Sequence, residues 1–398
     1  MAGTPLRVAI VGGGLAGPCL AHGLLRAGID VTLYERDAGV AARTQGYRIH
    51  IGPEGTGALR DCLPAELFAL VAATSGVPGS AVTTLGPGLE TLNRIVFDEP
   101  DADGHLTVDR LVLREILMAG LGERARYGGA FRGYAELPDG RVRVEFDGHR
   151  PVEADLLVAA DGAGSRVRRQ FLPHAVVHDT GLLTIFGKTP LTTRALAHTP
   201  QAALDGFSTV VAPDGRWVPL AAHRFREDPR QAAARLLPGL VPADARDYLM
   251  WVLGIHRDAL DGVDVLGLDG PDLHAFATGR VADLHPDVAA LVRLGDPESV
   301  GVAPIRTAEP VARWETGPVT LIGDAIHCMI PAGNSVGTGL RDAGLLTWHL
   351  TRVARGEDTL RRAVGDYEAE MLDYGFAAVA ASLAQVSGGT DAESAARS

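Results

Sequence analysis

The chain is short of lysine, cysteine, aromatic residues and long apolar runs, and each shortage narrows what it does. Lys188 is the one lysine among 37 basic residues, a bias we attribute to codon usage in a GC-rich genome. Forty-nine acidic residues outweigh the basic ones and leave a formal net charge of −12, which argues against a nucleic-acid partner. Cys19, Cys62 and Cys328 are odd in number and widely spaced, so neither a disulfide framework nor a metal site is expected. Cys62 and Cys328 read as buried, unreactive thiols rather than points of covalent cofactor attachment. No apolar run is long enough to span a bilayer, and the N-terminus lacks the basic region of a signal peptide. A cytoplasmic protein without a membrane partner is expected. At 398 residues the chain has room for two domains or one large discontinuous one.

Glycine is abundant, and its placement is informative. Leu6–Val11 reads as a short buried strand of a parallel sheet. Gly12-Gly13-Gly14-Leu15-Ala16-Gly17 then fits G-x-G-x-x-G. Its first glycine permits a tight turn, the second a close approach of backbone to pyrophosphate, and the third close packing of helix on strand. Pro18 falls in the opening of a helix that runs to about Ala27, and the start of that helix offers N–H groups and a positive dipole end to phosphate. Asp30–Tyr34 returns as a second strand and Glu35 ends it, where a carboxylate accepts hydrogen bonds from a ribose diol and repels a 2′-phosphate. FAD or NAD, rather than NADP, is the nucleotide implied.

Two later segments repeat the arrangement of strand followed by an acidic turn. Ala154–Ala160 leads into Asp161-Gly162-Ala163-Gly164-Ser165-Arg166, which alone is ordinary turn chemistry. Val319–Ile322 leads into Gly323-Asp324-Ala325-Ile326-His327, read as the end of that strand. Pro331-Ala332-Gly333-Asn334-Ser335-Val336-Gly337-Thr338-Gly339 then precedes a long helix expected from about Leu340 to Arg355. Backbone N–H groups at that helix start suit a negatively charged ring.

With these three motifs in this order, nearly the whole chain resembles the single-component, class A FAD-dependent aromatic monooxygenases related to para-hydroxybenzoate hydroxylase. The resemblance implies an α/β fold: a discontinuous Rossmann-like FAD-binding domain with an inserted sheet-plus-helix substrate domain. It implies that Gly12, Gly14, Leu15, Ala16, Gly17, Glu35 and Arg36 hold the ADP half of FAD. By the same resemblance Arg110 approaches the FAD linker, Arg43 the pyrophosphate or a mobile flavin, and Asp161 both FAD and the nicotinamide donor. Gly323 and Asp324 meet the ribityl chain. Pro331, Gly333, Asn334, Ser335, Val336 and Gly337 surround the ring, while His327 is architectural. The activity implied is NADPH- or NADH-driven insertion of one atom of dioxygen into an aromatic or polycyclic molecule through a flavin C4a-hydroperoxide, in secondary metabolism or phenol degradation, by a monomer or homodimer. The family pattern P-x-x-G-x-G-x-N is altered here. Only Ala332 separates Pro331 from Gly333, and Ser335 and Gly337 stand where the second glycine and the asparagine usually fall. That keeps an FAD-dependent oxidase, dehydrogenase or oxidative cyclase open beside hydroxylation, with a non-catalytic FAD-binding protein as a third alternative.

The expected division is 1–175 for the first part of the FAD domain, with about 77–104 lending strands to the substrate sheet. The substrate domain covers 176–298 and the second FAD part 299–386, with a disordered tail at 387–398 after a helix from about Leu360 to Gln385. Strands are expected at about 180–190, 206–213 and 215–225. Helices are expected around Pro229–Leu237, Ala243–Arg257 and Pro286–Leu294. Phe186, Ser208, Val210, Trp217 and His223 are the candidate pocket residues, because alternation alone does not say which sheet face is wet. His223 is weighed as a general base against a purely structural histidine.

Overall fold

The computed structural model describes residues 6–42, 46–97, 104–243, 246–331 and 335–395, without the side chains of residues 41 and 386–395. A five-stranded parallel sheet forms the centre of the larger core. Its order is Val319–Leu321, Leu156–Ala159, Arg7–Val11, Asp30–Glu35 and Ala125–Tyr127. These strands are near-continuous apolar runs because both faces are covered. Leu156, Leu157, Val158 and Ala159 are all fully buried. The helices Ala16–Arg26 and Ser335–Ala354 pack together, and Leu20, Leu24, Leu340 and Leu346 join the core they form with the sheet.

A seven-stranded sheet makes the second layer system, in the order Gly301–Ala308, Val177–Pro190, Tyr248–His256, Trp217–His223, Gly206–Val211, Ala81–Leu85 and Thr91–Val96. One face carries Ile185, Val210, Val218, Leu220, Trp251 and Leu253, which share a core with Leu273 and Ala277 of the helix Gly270–Arg280 and Leu291 of Pro286–Arg293. The other face looks towards a two-stranded ribbon, Arg48–Ile51 with Leu106–Asp109. An antiparallel three-stranded sheet, Phe131–Glu136, Val142–Phe146 and Val152–Ala154, completes the strands. Among the described residues no helix is long and apolar enough to cross a membrane.

Three local expectations change. The segment expected as a helix over 243–257 contains the strand Tyr248–His256. Its run of Tyr248-Leu249-Met250-Trp251-Val252-Leu253 has no alternation, because a central strand covered on both faces needs none. The helix expected from Leu340 starts at Ser335. Gly337 and Gly339 sit inside it because close packing requires them there: Gly55 lies against Gly337, and Gly323 against Gly339. The strand Val319–Leu321 stops before Gly323, and Asp324–His327 continues as a short helix. The last helix spans Leu360–Ala395, past the 387 boundary at which order was expected to stop.

Candidate functional site

The sheet order brings the three glycine–acid motifs side by side. Val11 pairs with Ala159 and Ala159 with Leu321, so Gly12–Gly17, Asp161-Gly162 and Gly323-Asp324 leave the carboxyl ends of three adjacent parallel strands. In an open parallel sheet that is where a ligand crevice forms. Gly12 has φ +114°, a conformation that favours glycine, and a Cβ there would collide with the Ala160 carbonyl. A Cβ on Gly17 would strike the Gly12 carbonyl, whereas a Cβ on Gly14 would meet nothing within 4 Å. Gly12 and Gly17 are therefore required by the fold, and Gly14 faces open space. Leu15 begins the Ala16–Arg26 helix without a side-chain cap, which leaves the N–H groups of its first turn available to an anion.

Glu35 is buried. Its Oε2 accepts the Gly13 N–H at 2.6 Å and its Oε1 the Asp37 N–H at 2.9 Å. An ionised carboxylate has about four lone-pair sites, so it retains capacity for a sugar hydroxyl. Arg36 is exposed, with only a 4.0 Å approach to Asp37. Arg43, Gly333 and Asn334 lie outside the described residues. Asp161 Oδ2 accepts the Arg166 N–H at 2.8 Å and closes the turn into the helix Arg166–Phe171. Asp161 Oδ1 is buried with no hydrogen-bond partner among the described residues, and such an atom calls for a donor from outside the chain. Asp324 is exposed, yet its carboxyl is raised because protein mass surrounds it, an effect that His327 and Arg110 partly offset. Both observations fit a side chain in the floor of a deep cleft that water reaches. Arg110 is half-buried at the start of the Arg110–Ala119 helix and donates its backbone N–H to Tyr47 O at 3.0 Å. Pro331 is exposed, while Ser335, Val336 and Gly337 form the first turn of the Ser335–Ala354 helix.

Three buried charged residues that hold these motifs in place were not legible as site residues. Arg114 donates Nε–H to Gly13 O at 2.7 Å and Nη1–H to Val40 O at 3.0 Å. Arg168 donates to Ala325 O and to Ala163 O, each at 2.8 Å, tying the second motif to the third. Asp342 is fully buried and accepts the Gly323 N–H at 2.6 Å, His327 Nε2–H at 2.7 Å and the Tyr374 hydroxyl. Burial opposes the charge on His327, but the Asp342 carboxylate outweighs it and raises the imidazole above its usual range. The available signal was an acid at an apolar-face position of a helix, next to Leu340 and Leu346.

On the seven-stranded sheet, register separates the five pocket candidates. Phe186 lies opposite Val252, Trp217 opposite Gly254, and His223 opposite Tyr248, so these three share the face turned to the ribbon. Ser208 and Val210 lie opposite Leu220 and Val218 on the other face; Ser208 donates to Leu220 O at 3.1 Å and Val210 packs in the helix-side core. Phe186 touches Tyr47, with ring centroids 4.7 Å apart. Burial lowers His223 to about 3, which makes it a weak base. Burial also pushes the Cys328 thiol up to about 12.

Glu115, buried on the Arg110–Ala119 helix, has its carboxyl raised to about 7 by burial, although the Ala243 N–H acts the other way. A raised acid favours the fold below its unfolded value, near 4.5, and that contribution is lost as pH climbs through about 7. Glu115→Gln is therefore expected to stabilise the protein by about 2 kcal/mol at pH 8, discounted for screening, and by far less at pH 5. Chemical denaturation at the two pH values checks this.

Comparison with known proteins gives the same assignment. Residues 280–382 match an FAD binding domain and residues 10–69 an NAD(P)-binding Rossmann-like domain. A solved structure of a "putative FAD containing monooxygenase" from Photorhabdus luminescens subsp. laumondii TTO1 is 30% identical, covers 96% of this chain and 97% of its own, and has a TM-score of 0.80. A dual O-methyltransferase/FAD-dependent monooxygenase of Phaeosphaeria nodorum is 29% identical over 90% of this chain and 42% of its own length. The chain thus spans less than half of the first curated relatives it matches. The 6-hydroxynicotinate 3-monooxygenase of Bordetella bronchiseptica is 27% identical over 87% of this chain and 83% of its own. The chain belongs to the FAD-dependent monooxygenases of the para-hydroxybenzoate hydroxylase class.

Proposed function

We propose that the protein uses NADPH or NADH and dioxygen to insert one oxygen atom into an aromatic or polycyclic small molecule. The observation that carries this is the convergence of three glycine–acid motifs at one sheet edge, together with a second sheet that turns Phe186 and its neighbours towards the adjoining ribbon. Bound FAD supplies hydride acceptance and activation of dioxygen. The chain binds and orients. Gly14 and the first turn of Ala16–Arg26 receive the pyrophosphate, Glu35 the ribose, Arg110 the linker and Asp324 the ribityl chain. Asp161 Oδ1 takes a donor from the cofactor or the nicotinamide. The N-terminal turn of Ser335–Ala354 would offer a positive dipole end to the flavin ring. Phe186, Met250 and Val252 on the ribbon-facing side of the sheet help to exclude water from the reacting centre.

The same proposal divides the chain into an FAD domain, 1–175 with 299–386, and a substrate domain, 176–298. The segments Ala81–Leu85, Thr91–Val96 and Gly301–Ala308 lend strands to the substrate sheet. The reading also takes the protein as a cytoplasmic monomer or homodimer. The FAD-loaded protein is expected to oxidise NADPH or NADH at least about tenfold faster with its substrate than without it, consuming one dioxygen per nucleotide. If a broad panel of hydroxylated aromatics leaves the rate unchanged while FAD stays bound, a non-catalytic FAD-binding role replaces this one.

A further inference from the structure

The ribbon-facing side of the seven-stranded sheet carries a set of charges that cofactor binding does not use. Lys188, the only lysine, is 4% exposed. Its Nζ lies 2.7 Å from Asp109 Oδ2 and 4.5 Å from the centroid of the Tyr248 ring. Asp109 is 1% exposed and also accepts the Tyr248 hydroxyl at 2.8 Å and the backbone N–H groups of Leu111 and Val112 at 2.9 and 3.0 Å. Four donors saturate this carboxylate, and Lys188 neutralises its charge.

Arg48 stands directly opposite Asp109 in the ribbon, so both side chains leave on the side turned to the sheet. Its Nε is buried without a hydrogen-bond partner, and no carboxylate forms an ion pair with it among the described residues. Burial lowers its guanidinium to about 10, and the Tyr248 phenol is the one group acting against that. Beside it His223, 1% exposed, has no partner at either ring nitrogen among the described residues; it packs between Phe225 and Tyr248, with ring centroids 4.5 and 5.2 Å away. A half-buried guanidinium whose Nε is left without an acceptor, and a buried neutral imidazole with both nitrogens unused, are costly to keep unless something completes them. Tyr47, Phe186 and Met250 supply flat and apolar surface alongside.

We propose that Arg48 and His223 form an acidic-oxygen subsite of the substrate pocket, so that the enzyme selects aromatic substrates whose oxygen is anionic at neutral pH. Arg48 pairs with that oxygen and His223 donates an N–H to it. Lys188 is a positioning residue: by holding the charge of Asp109 it keeps Arg48 from being captured by the neighbouring carboxylate. The assignment rests on the proposed function above for its pocket, but its test does not require turnover.

The FAD-loaded protein is titrated with benzoate and its neutral isostere benzamide, and with 4-nitrophenol above and below its ionisation. Flavin absorbance reports binding, and thermal shift gives an independent readout. Benzoate is expected to bind at least about tenfold more tightly than benzamide, or 4-nitrophenolate more tightly than 4-nitrophenol; whichever pair discriminates identifies carboxylate or phenolate as the oxygen read. Arg48→Gln removes the preference and leaves FAD affinity unchanged. Lys188→Met also removes it although Arg48 is intact, and Lys188→Met/Asp109→Asn restores it, a rescue that a merely structural lysine would not show. The proposal is overturned if charged and neutral members of both pairs bind alike. It is equally overturned if Arg48→Gln lowers FAD affinity and spares the preference, which makes Arg48 a cofactor residue. A preserved anion preference in a protein that does not oxygenate leaves the subsite standing and removes the monooxygenase activity instead.

Discussion

Gly14→Val is expected to leave the protein folded and to strip it of FAD. A Cβ at Gly14 meets no protein atom within 4 Å, so the unfolding free energy should stay within the range of a neutral surface change, about 0.5 kcal/mol. The space it fills is the one that a pyrophosphate must enter to reach the N–H groups of the Ala16–Arg26 helix. On the proposed placement of the pyrophosphate, FAD affinity should fall on the order of a hundredfold or more. Gly12→Val and Gly17→Val make the control. Their side chains strike the Ala160 and Gly12 carbonyls, so those variants should lose stability with or without FAD. Circular dichroism, thermal melts and FAD titration of the three variants separate the two behaviours. A Gly14→Val protein that binds FAD normally would remove this turn from the cofactor site.

Asp342→Ala should be the most damaging single change away from the glycines. The side chain is fully buried and its carboxylate receives Gly323 N–H, His327 Nε2–H and the Tyr374 hydroxyl. Removing it leaves a buried imidazole without its counter-charge and an amide without its acceptor, a loss of about 3–5 kcal/mol. For a chain of 398 residues that corresponds to a fall in Tm of roughly 4–6 °C. In the proposed site the effect would extend to FAD binding, because Gly323, at φ +60°, precedes Asp324. Asp342→Asn keeps an acceptor for one donor and should recover part of the stability. Equal stability of Asp342→Ala and the parent protein would show that the network is not what holds the third motif.

The nucleotide-binding half was legible because its information is local. Strand, glycine turn, helix, strand and acid succeed one another within Arg7–Glu35, and each step has its own backbone requirement. The substrate sheet was legible only in part. Hairpins and alternation predict strands, but which face of a strand meets the pocket depends on register with partners far away in sequence. Phe186 and His223 therefore could not be told apart from Ser208 and Val210 until the pairings with Val252, Tyr248, Leu220 and Val218 were known. Tyr248–His256 read as helix because an unalternating apolar run has no period to betray it. Arg114, Arg168 and Lys188 were illegible for a related reason. Their partners Gly13, Ala325 and Asp109 lie 101, 157 and 79 positions away, and no local pattern encodes a contact at that distance. Lys188 was visible as an oddity of composition, but its ion-pair partner Asp109 caps the helix Arg110–Ala119, far away in sequence.

The central claim is oxygen insertion, and turnover under ¹⁸O₂ tests it most directly. The account predicts product carrying one ¹⁸O atom, consumption of one NADPH or NADH per product, and little hydrogen peroxide. Substrate turnover that yields unlabelled product, with dioxygen recovered as peroxide, would contradict it and make the enzyme an oxidase.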